Sequence, residues 1–283
     1  MKVRNVSLPL AAALALAAFS ARAENLVERI QASAAPHEEI MHVAVRSGID
    51  EPVLLSMAAA NQKPKRILML FPGDDGVMRI QQKARGTWFK LLGNYLIRTR
   101  ARFVDAHDIA VSVDMPSDQY CCANDTFRLS DQHAADVDAI IGALSARFPG
   151  AGIYLVGTSR GTISAASLAA KLGPRLAGVV LTSTVTQGAR DGRGLSVFDF
   201  GALKIPVLFV HHKSDSCHVT PYYVVERIAQ KYRFPLITVI GSDGVRGPDC
   251  EAFNYHGYAG RENRVAGAIM QWVNTRAVAA SIE

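Results

Sequence analysis

The chain has 283 residues, a formal net charge of +6, and 49% hydrophobic against 20% charged residues. That length and balance fit one long α/β domain and exclude a disordered chain, because there is ample apolar material for a core. Without Lys2, Arg4 and Arg22 the formal charge falls to +3, and the remaining basic residues are scattered without aromatic interleaving, which argues against a nucleic-acid surface.

In chain order, Met1 to Ala23 reads as a secretory signal peptide. Lys2 and Arg4 open it, Leu8 to Phe19 is its apolar run, and Ala21-Arg22-Ala23 offers small residues at a cleavage site. The run falls short of the roughly 20 apolar residues of a membrane span, so residues 24–283 are expected as a single exported catalytic domain, periplasmic or secreted, with no stable span after cleavage. An uncleaved anchor is the other reading. Ile40 to Val45 and Pro52 to Met57 read as strands of a hairpin across Gly48-Ile49-Asp50. Arg66 to Phe71 is a continuous apolar run ended by Pro72-Gly73. Trp88 to Phe103 carries apolar residues at helical spacing, Ile109 to Val113 reads as a strand, and His133 to Phe148 as a helix. Gly152 to Gly157 follows as a strand, then a helix from Arg160 to about Leu172. Gly178 to Thr182, Val207 to His211 and Leu236 to Ile240 are further strands, and Glu262 to Asn274 is a closing helix. Continuous apolar strands alternating with helices predict a mostly parallel sheet covered on both faces. Residues 187–204, rich in Gly and polar residues, fit a small cap or a surface loop.

Gly157-Thr158-Ser159-Arg160-Gly161 matches Gly-x-Ser-x-Gly between a strand and a helix, the setting of a nucleophile elbow. A serine hydroxyl needs a base, and the base an orienting carboxylate. Asp215 lies just past the strand ending at His211, and His256 precedes the last helix. Ser159, Asp215 and His256 therefore supply nucleophile, acid and base, in that order. Asp199 comes too early in the chain, Asp243 is the fallback acid, and His211 and His212 read as structural. A plain Gly-Ser turn, a turn aspartate and a surface histidine are the bland alternatives for the three residues taken singly. Oxyanion donors are expected from the backbone N–H of Arg160 and of Asp74, with Gly73 next in line. The carboxylates of Asp74 and Asp75 would oppose an oxyanion unless they point away, to Arg98, Arg100 or solvent.

Export permits disulfides, and Cys121, Cys122, Cys217 and Cys250 allow three complete pairings. Cys217–Cys250 is favoured because it would tie the acid loop to the base loop. An adjacent Cys121–Cys122 bridge would be strained, since neighbouring Cα atoms sit only about 3.8 Å apart.

From about residue 66 onward the chain resembles the α/β-hydrolase superfamily. The matching pieces are Leu70-Phe71-Pro72-Gly73, the Gly157–Gly161 pentapeptide, the strand leading to Asp215, and His256-Gly257. It is similar to exported hydrolases near the dienelactone hydrolase-like and prolyl-oligopeptidase-like groups. It differs from dienelactone hydrolases in carrying Ser159 in place of Cys, and it lacks the His-Gly-Gly-Gly loop of hormone-sensitive-lipase-like esterases. The resemblance implies an α/β-hydrolase fold and Ser-His-Asp hydrolysis with no metal or organic cofactor. A small-molecule carboxylic ester is the expected substrate. The rivals are a small-peptide or amide hydrolase, a thioesterase, and a non-catalytic binding protein on the same scaffold.

Overall fold

Short runs of aliphatic and β-branched residues build the centre of the molecule. In this computed structural model, which describes residues 34–283 apart from 85, 122, 190 and 191, five such runs are buried almost throughout. They are β3 (Arg66–Phe71), β6 (Asp108–Val113), β7 (Gly152–Thr158), β8 (Gly178–Thr182) and β9 (Val207–His212). With β1 (His37–Arg46), β2 (Ile49–Met57), β10 (Leu236–Val239) and β11 (Ser281–Ile282) they form one nine-stranded sheet of order β1-β2-β6-β3-β7-β8-β9-β10-β11. β1 and β2 pair antiparallel, as do β2 and β6, and every pairing from β6 to β11 is parallel. The mostly parallel sheet expected from the sequence is therefore present. The first reversal is tighter than the expected Gly48–Asp50 turn. Gly48 takes φ 72°, a left-handed conformation that glycine adopts at little cost, so Ile49 and Asp50 already pair with Arg46 and Ala44.

Alternation along the strands sorts side chains to two faces. Ile67, Met69 and Phe71 of β3 enter one core, under α3 (Asp131–Arg147), α4 (Gly161–Leu172) and α5 (Tyr222–Tyr232). Leu68 and Leu70 enter the other, under α1 (Tyr95–Arg98) and α6 (Glu262–Thr275), where Val265, Ile269 and Trp272 pack. α5 and β11 are additions to the sequence reading.

Trp88–Phe103 departs from its helical spacing. Trp88 ends the hairpin of β4 (Gln81–Lys83) and β5 (Gly86–Trp88), and only Tyr95–Arg98 is α-helical. Leu91 has φ 59°, and the Asn94 side chain caps the Leu96 amide. A helix thus begins at Asn94 and cannot run through from Trp88. Phe89 and Ile97 are still buried together, so the periodicity marked burial without marking helix.

The 187–204 segment is anchored in the core by buried Leu195, Phe200 and Leu203. No helix among the described residues is long and apolar enough to cross a membrane. The signal-peptide reading of Met1–Ala23 lies outside the described residues, as does Cys122, while Cys121 is disulfide-bonded.

Candidate active site

The parallel register brings the candidate loops to one edge of the sheet. Phe71 of β3 pairs with Gly157 of β7, and Thr158 pairs with Thr182 of β8. The residues just beyond them, Gly73 and Ser159, therefore emerge side by side at the carboxyl ends, where open α/β sheets place their ligands. Ser159 has φ 51°, a strained backbone for a residue with a Cβ. Its amide donates to Thr182 O at 3.1 Å and its carbonyl accepts from Thr162 N at 2.9 Å. Gly161 makes the turn possible, because a Cβ there would lie 2.0 Å from the Phe71 carbonyl oxygen. Gly73 likewise has no room for a side chain, since its Cβ would meet Ser159 Cβ at 2.7 Å.

Asp215 follows β9 and is buried. Its Oδ1 accepts from Cys217 N at 3.0 Å and its Oδ2 from the Thr220 hydroxyl at 2.9 Å. His256 Nδ1 lies 3.1 Å from Oδ2, and His211 Nε2 lies 3.5 Å from the same oxygen. Burial opposes ionisation of this carboxyl, but the hydrogen bonds from His211 and His256 outweigh it and hold the group well below the ordinary carboxylate range. His211 Nε2 also faces Thr220 O at 2.8 Å, so it acts as a donor between two acceptors. His212 points elsewhere: its Nε2 meets Gly241 O at 2.8 Å and its Nδ1 accepts from Ser214 N.

His256 sits in a one-turn 3₁₀ helix, Tyr255–Gly257. Its carbonyl accepts from the Ser183 hydroxyl at 2.7 Å. Buried Tyr258 donates to Val210 O at 2.8 Å while accepting from Ser183 N at 2.9 Å. The base loop is thereby referenced to the ends of β8 and β9. The Cys217–Cys250 disulfide adds the expected covalent tie between the acid loop and the chain before His256.

A cavity of about 470 Å³ opens at this edge. Gly73, Asp74, Ser159, Arg160 and His256 line it together with Leu91, Val219 and Phe253, and the disulfide forms part of its wall. None of the described residues of 187–204 contributes to it. Asp125 on α2 (Asp125–Arg128) holds the segment, accepting from Gly194 N at 2.9 Å and from Arg160 Nη2 at 2.8 Å.

The carboxylates of Asp74 and Asp75 are exposed, in keeping with the solvent alternative. They are not taken up by Arg98 or Arg100. Arg98 donates to Gly93 O, Gly257 O and Glu262, and Arg100 to Glu38 and Ile97 O. The fallback acid Asp243 is paired with Arg261, and Asp199 caps the Gly201 amide. Thr220 and the buried Arg128 behind the Asp74 turn escaped the sequence reading. Thr220 lies five residues after Asp215, but neither it nor Arg128 belongs to a motif.

Comparison with solved structures places the fold. Est1E from Butyrivibrio proteoclasticus, also solved with ferulic acid bound, aligns with TM-score 0.58 at 15% identity, over 83% of this chain and 97% of its own. A lidless α/β serine hydrolase from Xanthomonas campestris gives TM-score 0.55 at 12% identity, over 86% and 97%. The Pyrococcus horikoshii acylaminoacyl peptidase gives 0.55 at 11% identity, covering 84% of this chain but 41% of the peptidase. No family model matches the sequence, and no curated protein matches it significantly. The chain has the α/β-hydrolase fold, and its structural neighbours are α/β serine hydrolases.

Proposed function

We propose that this chain is an exported serine hydrolase that cleaves carboxylic esters through Ser159, His256 and Asp215. The observation that carries the reading is the shared cavity: Ser159, on a left-handed turn, and His256, bonded through Nδ1 to a buried ionised Asp215, line the same 470 Å³ space. With Nδ1 occupied by the carboxylate, Nε2 is the free base.

In this mechanism Ser159 Oγ attacks the ester carbonyl carbon as His256 Nε2 takes its proton. The carbonyl π electrons move to oxygen, and the N–H groups of Arg160 and Asp74 hold the oxyanion. The tetrahedral adduct collapses, the C–O bond to the alcohol breaks, and His256 returns the proton to the departing alkoxide. Water, deprotonated by the same imidazole, then attacks the acyl carbon, the bond to Ser159 Oγ breaks, and the imidazolium returns the proton to that oxygen as the acid leaves. Asp215 orients His256 and stabilises the imidazolium.

The cavity's size and its apolar wall of Leu91, Val219 and Phe253 favour small or medium neutral esters over polymers. The alignment with an acylaminoacyl peptidase keeps small-peptide hydrolysis as the second reading. That peptidase is more than twice as long as the part this chain covers. The Cys217–Cys250 bridge and the leader-like Met1–Ala23 support export, with residues 24–283 as the catalytic domain.

Fluorophosphonate labelling of the purified protein tests the mechanism, with Ser159→Ala as control. Labelling confined to Ser159 is expected, and a folded sample that stays unlabelled defeats the enzyme in favour of a binding scaffold. Turnover of short p-nitrophenyl esters without turnover of aminoacyl p-nitroanilides separates esterase from peptidase.

A further inference from the structure

The most deeply buried cation near the site makes no hydrogen bond to a carboxylate among the described residues. Arg128 ends α2 and is 1% exposed. Its Nη1 donates to Ser164 Oγ at 3.0 Å and its Nη2 to Asp74 O at 3.2 Å, while its Nε finds no acceptor among the described residues. Asp125, one turn earlier on the same helix, is engaged by Arg160 and Gly194 N. Burial, then the neighbouring Arg160, lower its pKa to about 10 against the opposing pull of Asp125, Asp75 and Asp74, so it stays charged at neutral pH. A buried guanidinium whose hydrogen bonds all go to neutral oxygens is costly, even with Asp125, Asp75 and Asp74 opposing the shift from nearby. Departures of this kind concentrate where function demands them.

We propose that Arg128 is a positioning residue of the oxyanion site, clamping both donor-bearing elements from beneath and directing a fixed positive charge at the oxygen that becomes negative. The inference rests on the serine-hydrolase reading above.

The turn geometry carries the first half. Gly73 O accepts from Gly76 N at 3.1 Å, which turns that carbonyl into the turn. In a trans peptide the next N–H, that of Asp74, faces the opposite way. The Asp74 carbonyl is drawn down to Arg128, and Asp74 is held at φ 56°, a conformation that costs a non-glycine residue energy. The turn is shaped around the guanidinium: a Cβ on Gly76 would sit 2.6 Å from Arg128 Nη2. Ser164, the other partner, lies in the first turn of α4, the helix that follows Arg160 directly. One side chain therefore fixes the element of the Asp74 N–H relative to that of the Arg160 N–H.

Charge carries the second half. The Asp74 and Asp75 carboxylates are exposed, so water and salt screen them. Arg128 is enclosed, where its field is screened far less. The repulsion expected from two acids beside an oxyanion is thus opposed from the buried side.

The test compares Arg128→Met, Arg128→Lys and Ser164→Ala with wild type, using a short p-nitrophenyl ester and a trifluoromethyl ketone that forms a hemiketal oxyanion on serine. Arg128→Met should lower kcat by about 100-fold, the size of losing an oxyanion donor, with KM nearly unchanged and ketone affinity falling in parallel. Arg128→Lys should recover about a tenth or more of wild-type kcat, because it restores the charge without the fork. Ser164→Ala should weaken the ketone several-fold. Arg128→Met within about threefold of wild type for both readouts overturns the inference, as does a fall in kcat that leaves ketone affinity untouched. If Arg128→Met does not fold, Ser164→Ala decides, and unchanged ketone affinity there overturns it. Fluorophosphonate labelling of wild type is run alongside: a labelled wild type with an indifferent Arg128→Met sinks only this inference, and an unlabelled wild type sinks the hydrolase reading beneath it.

Discussion

Two buried ions each support a residue that lines the candidate site, Asp215 behind His256 and Arg128 behind Asp74, and their surroundings differ in kind. On the base side, Asp215 is ringed by donors: a backbone amide, a hydroxyl and two imidazoles. The fold favours its charged form. On the elbow side, Arg128 donates to two neutral oxygens and its Nε has no acceptor among the described residues, and burial disfavours its charged form. The first ion helps hold the protein together, whereas the second is retained against stability. The contrast separates a group whose charge the structure satisfies from one whose charge is left available to a reaction.

Removing the ions tests this most sharply. Asp215→Asn should lower kcat by about 10⁴-fold, measured with a p-nitrophenyl ester, because the amide stabilises the wrong imidazole tautomer. It should also flatten the acid limb of stability. Because the folded-state pKa of Asp215 is depressed, its contribution is present above the ordinary aspartate pKa and is lost as pH falls through the folded value. Denaturant titrations of wild type should therefore lose more stability on acidification than those of the variant. Arg128→Met should cost activity but leave the thermal midpoint at neutral pH unchanged or raised, since apolar replacement of a buried ion is often neutral or stabilising.

Smaller effects probe what holds each side. Reducing Cys217–Cys250, which spans 33 residues in sequence, should cost roughly 3–4 kcal/mol in the chain-entropy model and lower activity by freeing the acid and base loops. Chemical denaturation with and without a phosphine reductant measures the first effect, and ester turnover the second. Thr220→Val removes a hydroxyl bonded to Asp215 Oδ2 and should lower kcat by about tenfold, in line with one charge-assisted hydrogen bond. Thr220→Ser should recover most of it.

The sequence carried the scaffold well and the supporting contacts poorly. β3 and β8 match their apolar runs, because continuous burial on both faces leaves a readable signature. Ser159, Asp215 and His256 were nominated from local pattern and chain order. Arg128 was not, because its role arises from packing 31 residues upstream of the nucleophile, in a stretch where the sequence reading placed no element. Thr220 and His211 gain meaning only when β9 and the following turn bring them to one carboxylate oxygen. Trp88–Phe103 shows the converse: apolar spacing reported what is buried, and a left-handed Leu91 with an Asn94 cap decided what is helix.

The segment between β8 and β9 is pinned at Gly194 by Asp125 and further along by Phe200 and Leu203 in the core, while Val197 stands 77% exposed between the anchors. A chain spliced in at that tip would start and end on fixed points. Doubling the length of a flexible loop adds only about 0.6 kcal/mol of closure entropy. The scaffold thus offers a port where a new module can be acquired without disturbing the old chemistry, a ready starting point for divergence.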